Sequence, residues 1–180
     1  MDLGRATTPV IETERLNLRP IRENDAQAIF DCWMQDQDVS RYMCWKASDD
    51  IGDAKRFVEY ERNQLENEQW NRWIVEDKSG NSIMGTCLIF YNPDESSWDI
   101  SYNLGKKYWG FGYTTEAMKA VLQYAKTVLT VRECIAVHAA ENPASGKVLQ
   151  NLGFMYERDV PYECSGGDIQ TTGKFYRLRM

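Results

Sequence analysis

Hydrophobic and polar residues alternate along some stretches of this chain and recur at helical spacing along others, which predicts a mixed α/β domain. Alternation over residues 98–104 predicts a strand with one apolar and one polar face, and the apolar run of residues 134–140 predicts another strand. Between them, apolar residues at helical spacing predict an amphipathic helix over residues 114–128. A strand, a helix and a second strand in this order imply a parallel crossover.

The same pattern predicts further elements on both sides of this crossover. Strands are expected over residues 16–20, 70–75 and 82–91, and an antiparallel pair over 154–162 and 170–178 closes the sheet. Helices are expected over residues 24–34, 51–67 and 143–152, of which the first two would form a lid over one end of the sheet. Residues 1–9 are expected to be a loose tail.

The composition is that of one soluble globular domain, with 180 residues of which 43% are hydrophobic and 27% charged. A net charge of −6 argues against nucleic-acid binding and would favour a cationic substrate such as an amine or a basic peptide. Five cysteines without a paired spacing argue against a disulfide framework or a zinc site, which suits a cytoplasmic protein. No stretch approaches the roughly 20 apolar residues of a membrane helix, so no membrane partner is expected.

The segment that joins strand 98–104 to helix 114–128 has the features of an anion-binding loop. Gly110 and Gly112 let the main chain approach a ligand closely, and the following helix begins with unpaired N–H groups at its positive end. The segment lacks the Gly-Lys-Ser/Thr of a P-loop, and Thr115 occupies the third glycine position of a dinucleotide fingerprint. Nucleotide binding is therefore disfavoured, and a plain glycine turn is the alternative to a phosphate site.

Two motifs in this half of the chain point to one family. Residues 108–117, Tyr-Trp-Gly-Phe-Gly-Tyr-Thr-Thr-Glu-Ala, resemble the acetyl-CoA pyrophosphate loop of GNAT N-acetyltransferases, most closely the RimJ/RimL-like branch that modifies ribosomal-protein N-termini. Residues 142–154, about 30 residues later, are similar to the family's second CoA-contacting segment. The resemblance covers the chain from about Thr13 and implies a single GNAT domain. It implies a mixed, mostly antiparallel sheet of about 6–7 strands flanked by about four helices and splayed between strands 98–104 and 134–140.

The resemblance implies that acetyl-CoA binds in this wedge. Its pantetheine would pair with the main chain of residues 102–104, and its pyrophosphate would meet N–H groups of residues 111–115. Asn142 and Ser145 match an Asn-x-x-Ser of the branch, although helix capping alone would explain Asn142. The implied cofactor residues are Tyr102, Asn103, Leu104, Trp109, Gly110, Phe111, Gly112, Tyr113, Thr114, Thr115, Asn142 and Ser145.

Acetyl transfer to an amine needs a group that accepts a proton, because amines are largely protonated at neutral pH. Asp99, at a position where relatives often carry Glu, is the first candidate for a base that acts through water. His138 and Glu141 are alternatives, although a lone strand histidine is more often structural and an exposed glutamate commonly only solvates a surface. A main-chain N–H near Leu104 would hold the oxyanion, and no metal is required.

The group that protonates the departing thiolate is less well defined. Many members of the family carry a tyrosine on the second CoA-contacting helix, where this chain has Leu149. Ser145 or a water molecule would then have to support thiolate departure. Glu116, in the first turn of helix 114–128, is expected to point away from the phosphate.

These features predict an acetyl-CoA-dependent N-acetyltransferase that acts on a primary amine. The branch suggests a protein N-terminal α-amine, whereas other relatives acetylate small amines such as polyamines and antibiotics. The missing tyrosine also permits a non-catalytic CoA-binding sensor or interaction module. Trp33 and Trp45 are expected to shape the acceptor site, and the aromatic segment 42–46 is either core or the lip of a pocket. A homodimer is compatible with this interpretation.

Overall fold

Eight strands and five helices are found in residues 8–80 and 82–180, the part of the chain that the computed structural model describes. The predicted fold class is confirmed, with one strand and one helix more than expected. The additional elements are the shortest ones, because two or four residues leave almost no periodicity to detect. The strands are β1 (Ile11–Glu12), β2 (Leu16–Arg19), β3 (Trp70–Asp77), β4 (Ile83–Asn92), β5 (Ser97–Leu104), β6 (Glu133–Ala139), β7 (Met155–Cys164) and β8 (Ile169–Arg179).

The first predicted helix is divided into short pieces. A 3-10 turn, Glu23–Asp25, leads into α1 (Ala26–Ile29), which continues as a π-helical turn, Phe30–Met34. Asp36 then caps α2 (Gln37–Ser40) by accepting hydrogen bonds from the N–H groups of Asp38 and Val39. The other helices are α3 (Ile51–Asn63), α4 (Tyr113–Thr127) and α5 (Pro143–Asn151), with 3-10 turns at Lys106–Tyr108 and Ser165–Gly167. We call residues 23–63 the lid.

The strands form one sheet in the order β1-β2-β3-β4-β5-β6-β8-β7, and every neighbouring pair except β5 and β6 is antiparallel. β5 and β6 are parallel and are joined through α4, as the alternating pattern predicts. Their pairing is confined to Trp98 with Cys134 and Asp99 with Ile135. Beyond these residues the two strands separate, so the expected splay is present at the centre of the sheet.

Hydrophobic cores lie on both faces of the sheet. α4 and α5 cover one face with an apolar stripe, and the lid covers the other. The first core includes Trp73, Ile89, Met118, Val121, Leu149 and Phe154, and the core beneath the lid includes Ile29, Trp33, Val39, Ala54, Val58 and Ile74.

The predicted N-terminal tail is only partly testable, because residues 1–7 lie outside the described residues. The prediction is wrong for the two residues that follow. Thr8 is buried, and the carbonyl of Pro9 accepts a hydrogen bond of 2.7 Å from the indole N–H of Trp73. The chain is therefore attached to the sheet before β1 begins.

All five cysteines are free thiols. Within residues 8–80 and 82–180, no helix has both the length and the apolar character that crossing a membrane requires. The same residues contain no group of three or more His, Cys, Asp or Glu side chains that could hold a metal ion.

Candidate active site

The separated ends of β5 and β6 open into a cleft of about 620 Å³. Besides the two strands, its walls are the segment before α4, helix α5, residues at and just after the end of α2, and Tyr162 of β7. The cleft thus lies between the lid and the two motifs identified in the sequence. The predicted cofactor residues that line it are Tyr102, Asn103, Leu104, Trp109, Gly110, Gly112, Tyr113, Thr114, Thr115, Asn142 and Ser145.

The loop before α4 presents a row of main-chain donors. Gly110 and Gly112 have φ angles of +83° and +79°, which side chains with a Cβ rarely adopt. No acceptor within the described residues receives a hydrogen bond from the N–H groups of residues 110–115. These groups lie at the N-terminus of α4, where the helix dipole also favours negative charge. The loop can therefore bind an anion through its main chain.

A separate set of contacts holds this loop against the start of the sheet. Glu116 accepts hydrogen bonds from the Thr13 hydroxyl at 2.6 Å and from the Arg15 side chain at 2.7 Å, so it points away from the donor row as expected. Arg15 also donates to the carbonyl of Phe111 at 3.0 Å and packs over the ring of Tyr113. Phe111 is 61% exposed and does not line the cleft. Its predicted contact to the cofactor is therefore limited to its main-chain N–H.

The free edge of β5 offers main-chain groups to a ligand between the strands. The N–H of Gly105 donates to the carbonyl of Met84 in β4, and successive amides of a strand point to opposite edges. The N–H groups of Tyr102 and Leu104 therefore face the gap between β5 and β6. The indole N–H of Trp109 donates to the carbonyl of Leu104 at 2.8 Å, so this carbonyl is already engaged.

One side-chain pair in the cleft is absent from the sequence analysis. The hydroxyl of Tyr102 lies 2.9 Å from the Ser145 hydroxyl and 3.2 Å from the Ser145 carbonyl. Asn142 positions this serine by accepting a hydrogen bond from its N–H at 3.2 Å, which confirms the helix cap. Burial raises the pKa of Tyr102, so the phenol remains protonated at neutral pH. No local sequence signal pairs these residues, because they are 43 positions apart.

His138 lines the same side of the cleft but is held tightly. Its Nδ1 lies 2.8 Å from the carbonyl of Ala139, which can only accept, so Nδ1 carries the proton. Nε2 is buried with no hydrogen-bond partner among the described residues. It faces Gly146 of α5 so closely that a Cβ there would lie 2.8 Å away. Burial lowers the pKa of His138, which leaves the ring neutral at pH 7.

Asp99 and Glu141, the other base candidates, do not line the cleft. Asp99 lies at its closed end, where β5 and β6 are still paired, and accepts hydrogen bonds from the side chain of Asn92 and the N–H of Ile100. Burial raises its pKa to about 6. Glu141 is attached to the Thr171 hydroxyl at 2.7 Å outside the cleft.

The structure places both predicted acceptor residues, Trp33 and Trp45, outside the cleft wall. Trp33 is 2% exposed and belongs to the core beneath the lid, so a direct substrate contact is ruled out for this side chain. Trp45 packs against the same core, and it too is absent from the cleft wall. A buried indole stabilises the lid by removing a large apolar area from water. The lid residues that do line the cleft are Asp38, Val39, Arg41, Tyr42 and Met43.

Known proteins share both the sequence pattern and the fold. The model of a family described as the acetyltransferase (GNAT) domain matches residues 15–155. An uncharacterized N-acetyltransferase, p20 of Bacillus licheniformis, is 30% identical over 146 residues, which are 81% of this chain and 82% of that protein.

Solved structures with the same fold include ribosomal-protein acetyltransferases. RimL, a ribosomal L7/L12 alpha-N-protein acetyltransferase in complex with coenzyme A, has a TM-score of 0.83 at 14% identity and covers 96% of this chain and 98% of its own. The ribosomal-protein-S5-alanine acetyltransferase of Vibrio fischeri has a TM-score of 0.80 at 19% identity, with coverages of 95% and 96%. Because the family model matches most of this chain, the chain belongs to the GNAT acetyltransferase family and is an N-acetyltransferase.

Proposed function

We propose that this acetyltransferase takes its acetyl group from acetyl-CoA and transfers it to the α-amine of a peptide or protein N-terminus. The observation that carries the proposal is the cleft itself, in which a row of unpaired main-chain donors adjoins the free edge of a splayed strand. The acceptor is suggested by two proteins of the same fold, RimL and the S5-alanine acetyltransferase, whose names specify ribosomal proteins.

The residues of the cleft fit acetyl-CoA. The N-terminal turn of α4 would hold the pyrophosphate through the N–H groups of residues 110–115, since charge–dipole and hydrogen-bond terms both favour an anion there. The main chain at Tyr102 would hold the pantetheine arm along the edge of β5. When bound, acetyl-CoA supplies an activated acetyl thioester. The amide of Asn142 caps α5 through its oxygen, and its NH₂, which has no partner within residues 8–80 and 82–180, would bind the same arm.

Groups on opposite faces of β5 would carry the two protons of the reaction. Ser145 and Tyr102 lie on the α5 face, where a hydroxyl can donate a proton to the departing sulfur. Asp99 lies on the lid face at the closed end of the cleft, and its raised pKa suits a base that takes the amine proton through a water molecule. His138, whose Nε2 has no hydrogen-bond partner in the described part of the chain, is the alternative base. The N–H of Leu104, which faces the gap between β5 and β6, is the donor available to the acetyl oxygen.

Thiol release with purified protein tests this function. We expect CoA to be released when acetyl-CoA and a peptide with a free N-terminus are both present, and not with an N-terminally blocked peptide. Turnover of small amines but of no peptide would identify a small-molecule acetyltransferase. Stabilisation by acetyl-CoA without turnover of any amine would favour a CoA-binding sensor, and it would contradict the proposal.

Gly112→Ala is expected to weaken acetyl-CoA binding about tenfold, because the φ of +79° that aims the donor row is costly for alanine. The control is Gly153→Ala, at a φ of +90° beyond α5 and outside the cleft wall. Both variants should lose about 1 kcal/mol of unfolding free energy. Thermal unfolding with and without acetyl-CoA separates them, since the smaller ligand-induced shift is expected for Gly112→Ala alone. Equal shifts in both variants would argue against the loop as the binding site.

Asp99→Asn is expected to remove a limb of the pH–rate profile. In the parent protein kcat/KM should rise with pH through about 6, as burial places the carboxyl pKa there, and again near the amine pKa of about 8. The variant should keep the second rise, lose the first, and fall about tenfold at pH 7.5. A first limb that survives in the variant would exclude Asp99 as the base and direct attention to His138.

The same substitution has a second readout in stability. The folded-state pKa of Asp99 lies above its unfolded value of about 3.9, so ionisation opposes folding. The contribution of Asp99 to the free energy of unfolding is therefore most favourable below the unfolded-state pKa, and it is lost as the pH rises through about 6. Asn cannot ionise, and chemical unfolding at pH 5 and pH 8 should show less destabilisation with rising pH in the variant.

A further inference from the structure

The charges that line the cleft differ from those of the whole chain. The net charge of −6 favours a cationic substrate, yet the only carboxylate in the described part of the cleft wall is Asp38. That carboxylate is ion-paired with Lys106, which ties α2 to the turn after β5 and lowers the pKa of Asp38. Arg41 and Lys147 line the cleft as well. The cleft is therefore net positive, and it offers no free carboxylate to a polyamine.

Arg41 is the cation on the lid side of the cleft, the side on which Asp99 is proposed to take the amine proton. It follows α2 on the lid and is exposed, whereas Lys147 belongs to α5 on the opposite face of the sheet. Arg41 forms no ion pair of its own among the described residues, and its guanidinium lies 5.4 Å from the ring centre of Tyr42. Its attraction to Asp38 is weaker than that of Lys106. The guanidinium is therefore able to donate hydrogen bonds to an anionic group of a ligand.

Hydrogen bonds from the half of the sheet beyond the splay hold the main chain next to Arg41. The Tyr162 hydroxyl donates to the carbonyl of Tyr42 at 3.3 Å, and the N–H of Ser165 donates to the carbonyl of Met43 at 2.7 Å. These bonds connect the lid to β7 and to the turn that follows it. The segment that carries Arg41 is thus attached at both of the following residues, which reduces the ordering cost of binding a ligand.

A second donor projects from β5 on the same face. Asn103 is only 9% exposed, and its Oδ1 accepts a hydrogen bond of 2.7 Å from the Thr86 hydroxyl. Thr86 in turn accepts a hydrogen bond from Arg72, which is ion-paired with Glu61 of α3. This buried chain of side chains orients the amide, and its Nδ2 has no partner among the described residues. A buried, oriented and unpaired NH₂ group at the cleft favours an oxygen acceptor on the ligand.

We propose, building on the function proposed above, that the acceptor is an amine carrying an anionic oxygen group, as in a peptide with an acidic residue next to its N-terminus. Arg41 binds the carboxylate, and the Asn103 amide donates to a carbonyl oxygen between the carboxylate and the amine. A polyamine has neither group and is repelled by Arg41. Specificity here comes from both attraction and repulsion.

The test compares initial rates with two hexapeptides that begin Ser-Asp and Ser-Lys and are otherwise identical. We expect kcat/KM for the Ser-Asp peptide to exceed that for the Ser-Lys peptide about tenfold at low ionic strength, with the ratio falling as salt is added. Arg41→Glu should invert the preference. Arg132→Glu is the matched control, since it changes the net charge equally at an exposed residue outside the cleft wall, and it should leave the ratio unchanged.

The outcomes separate this inference from the function on which it rests. Equal rates with both peptides, an equal effect of the two Arg variants, or faster turnover of spermidine than of either peptide would overturn the inference while leaving an acetyltransferase. Faster turnover of free aspartate than of the Ser-Asp peptide would support the requirement for an anionic group. It would also indicate that the acceptor is a small amino acid. Absence of turnover with every amine, in protein that acetyl-CoA still stabilises, would contradict the proposed function and the inference together.

Discussion

Ser145→Ala should lower kcat about 100-fold with little change in acetyl-CoA affinity, because it removes the hydroxyl best placed to donate a proton to the departing sulfur. Tyr102→Phe should lower kcat about tenfold, since the ring remains and only the hydroxyl that contacts Ser145 is lost. Both residues line the cleft, and Tyr102 is also the position at which the pantetheine would contact the main chain. Steady-state rates with saturating acetyl-CoA measure both effects.

A double-mutant cycle distinguishes a pair from two independent residues. If Tyr102 acts by orienting Ser145, the double variant should be about as slow as Ser145→Ala alone, because a lost proton donor cannot be oriented. If the reductions in kcat of the two single variants instead multiply in the double variant, the phenol contacts the substrate independently of Ser145. Tyr124→Phe is the control, as it removes the hydroxyl of a largely buried α4 side chain that lies outside the cleft wall. A parent-like rate for Ser145→Ala would assign thiolate protonation to water.

Arg19→Met should lower the free energy of unfolding by about 3–5 kcal/mol, the largest stability effect that we expect from one substitution. Arg19 is 2% exposed and donates to both carboxylate oxygens of Asp25 at 2.8 Å and to Glu76 at 2.6 Å. Methionine fills a similar volume but leaves two buried carboxylates without their cation. Because Asp25 begins the lid while Arg19 and Glu76 belong to the sheet, the lid should also become less firmly attached.

Urea unfolding of a small set of variants tests this explanation. Adding Asp25→Asn and Glu76→Gln to Arg19→Met should restore part of the lost stability, because the unpaired charges are removed. Arg56→Met is the control, since Arg56 pairs with Asp50 and Asp53 on an exposed face of α3 and should matter little. A loss that the two amide substitutions fail to restore would mean that packing, rather than charge pairing, is the main role of Arg19.

The sequence alone predicted the features that depend on residues close together in the chain. Glycines at 110 and 112, required where φ is positive, and the Asn142 cap of α5 are local, so both motifs and the helices that follow them were identified. Alternation along β5 identified its two faces, and the strand, helix and strand order identified the parallel pair at the splay. Family membership followed from these local patterns, and the family model agrees.

Only the tertiary structure decided which side chains meet in the cleft. Alternation assigns Tyr102 to a face, but the contact with Ser145 depends on how α5 packs against that face. Hydrophobicity cannot tell an aromatic residue that lines a pocket from one in a core, so the sequence analysis assigned to the acceptor site a residue, Trp33, that lies in the core beneath the lid. Nothing in the local sequence pointed to Arg41, because only the fold brings it to the cleft wall. Likewise, net charge sums the whole surface, whereas the charge of the cleft depends on which side chains fold into it and which, like Asp38 with Lys106, are paired.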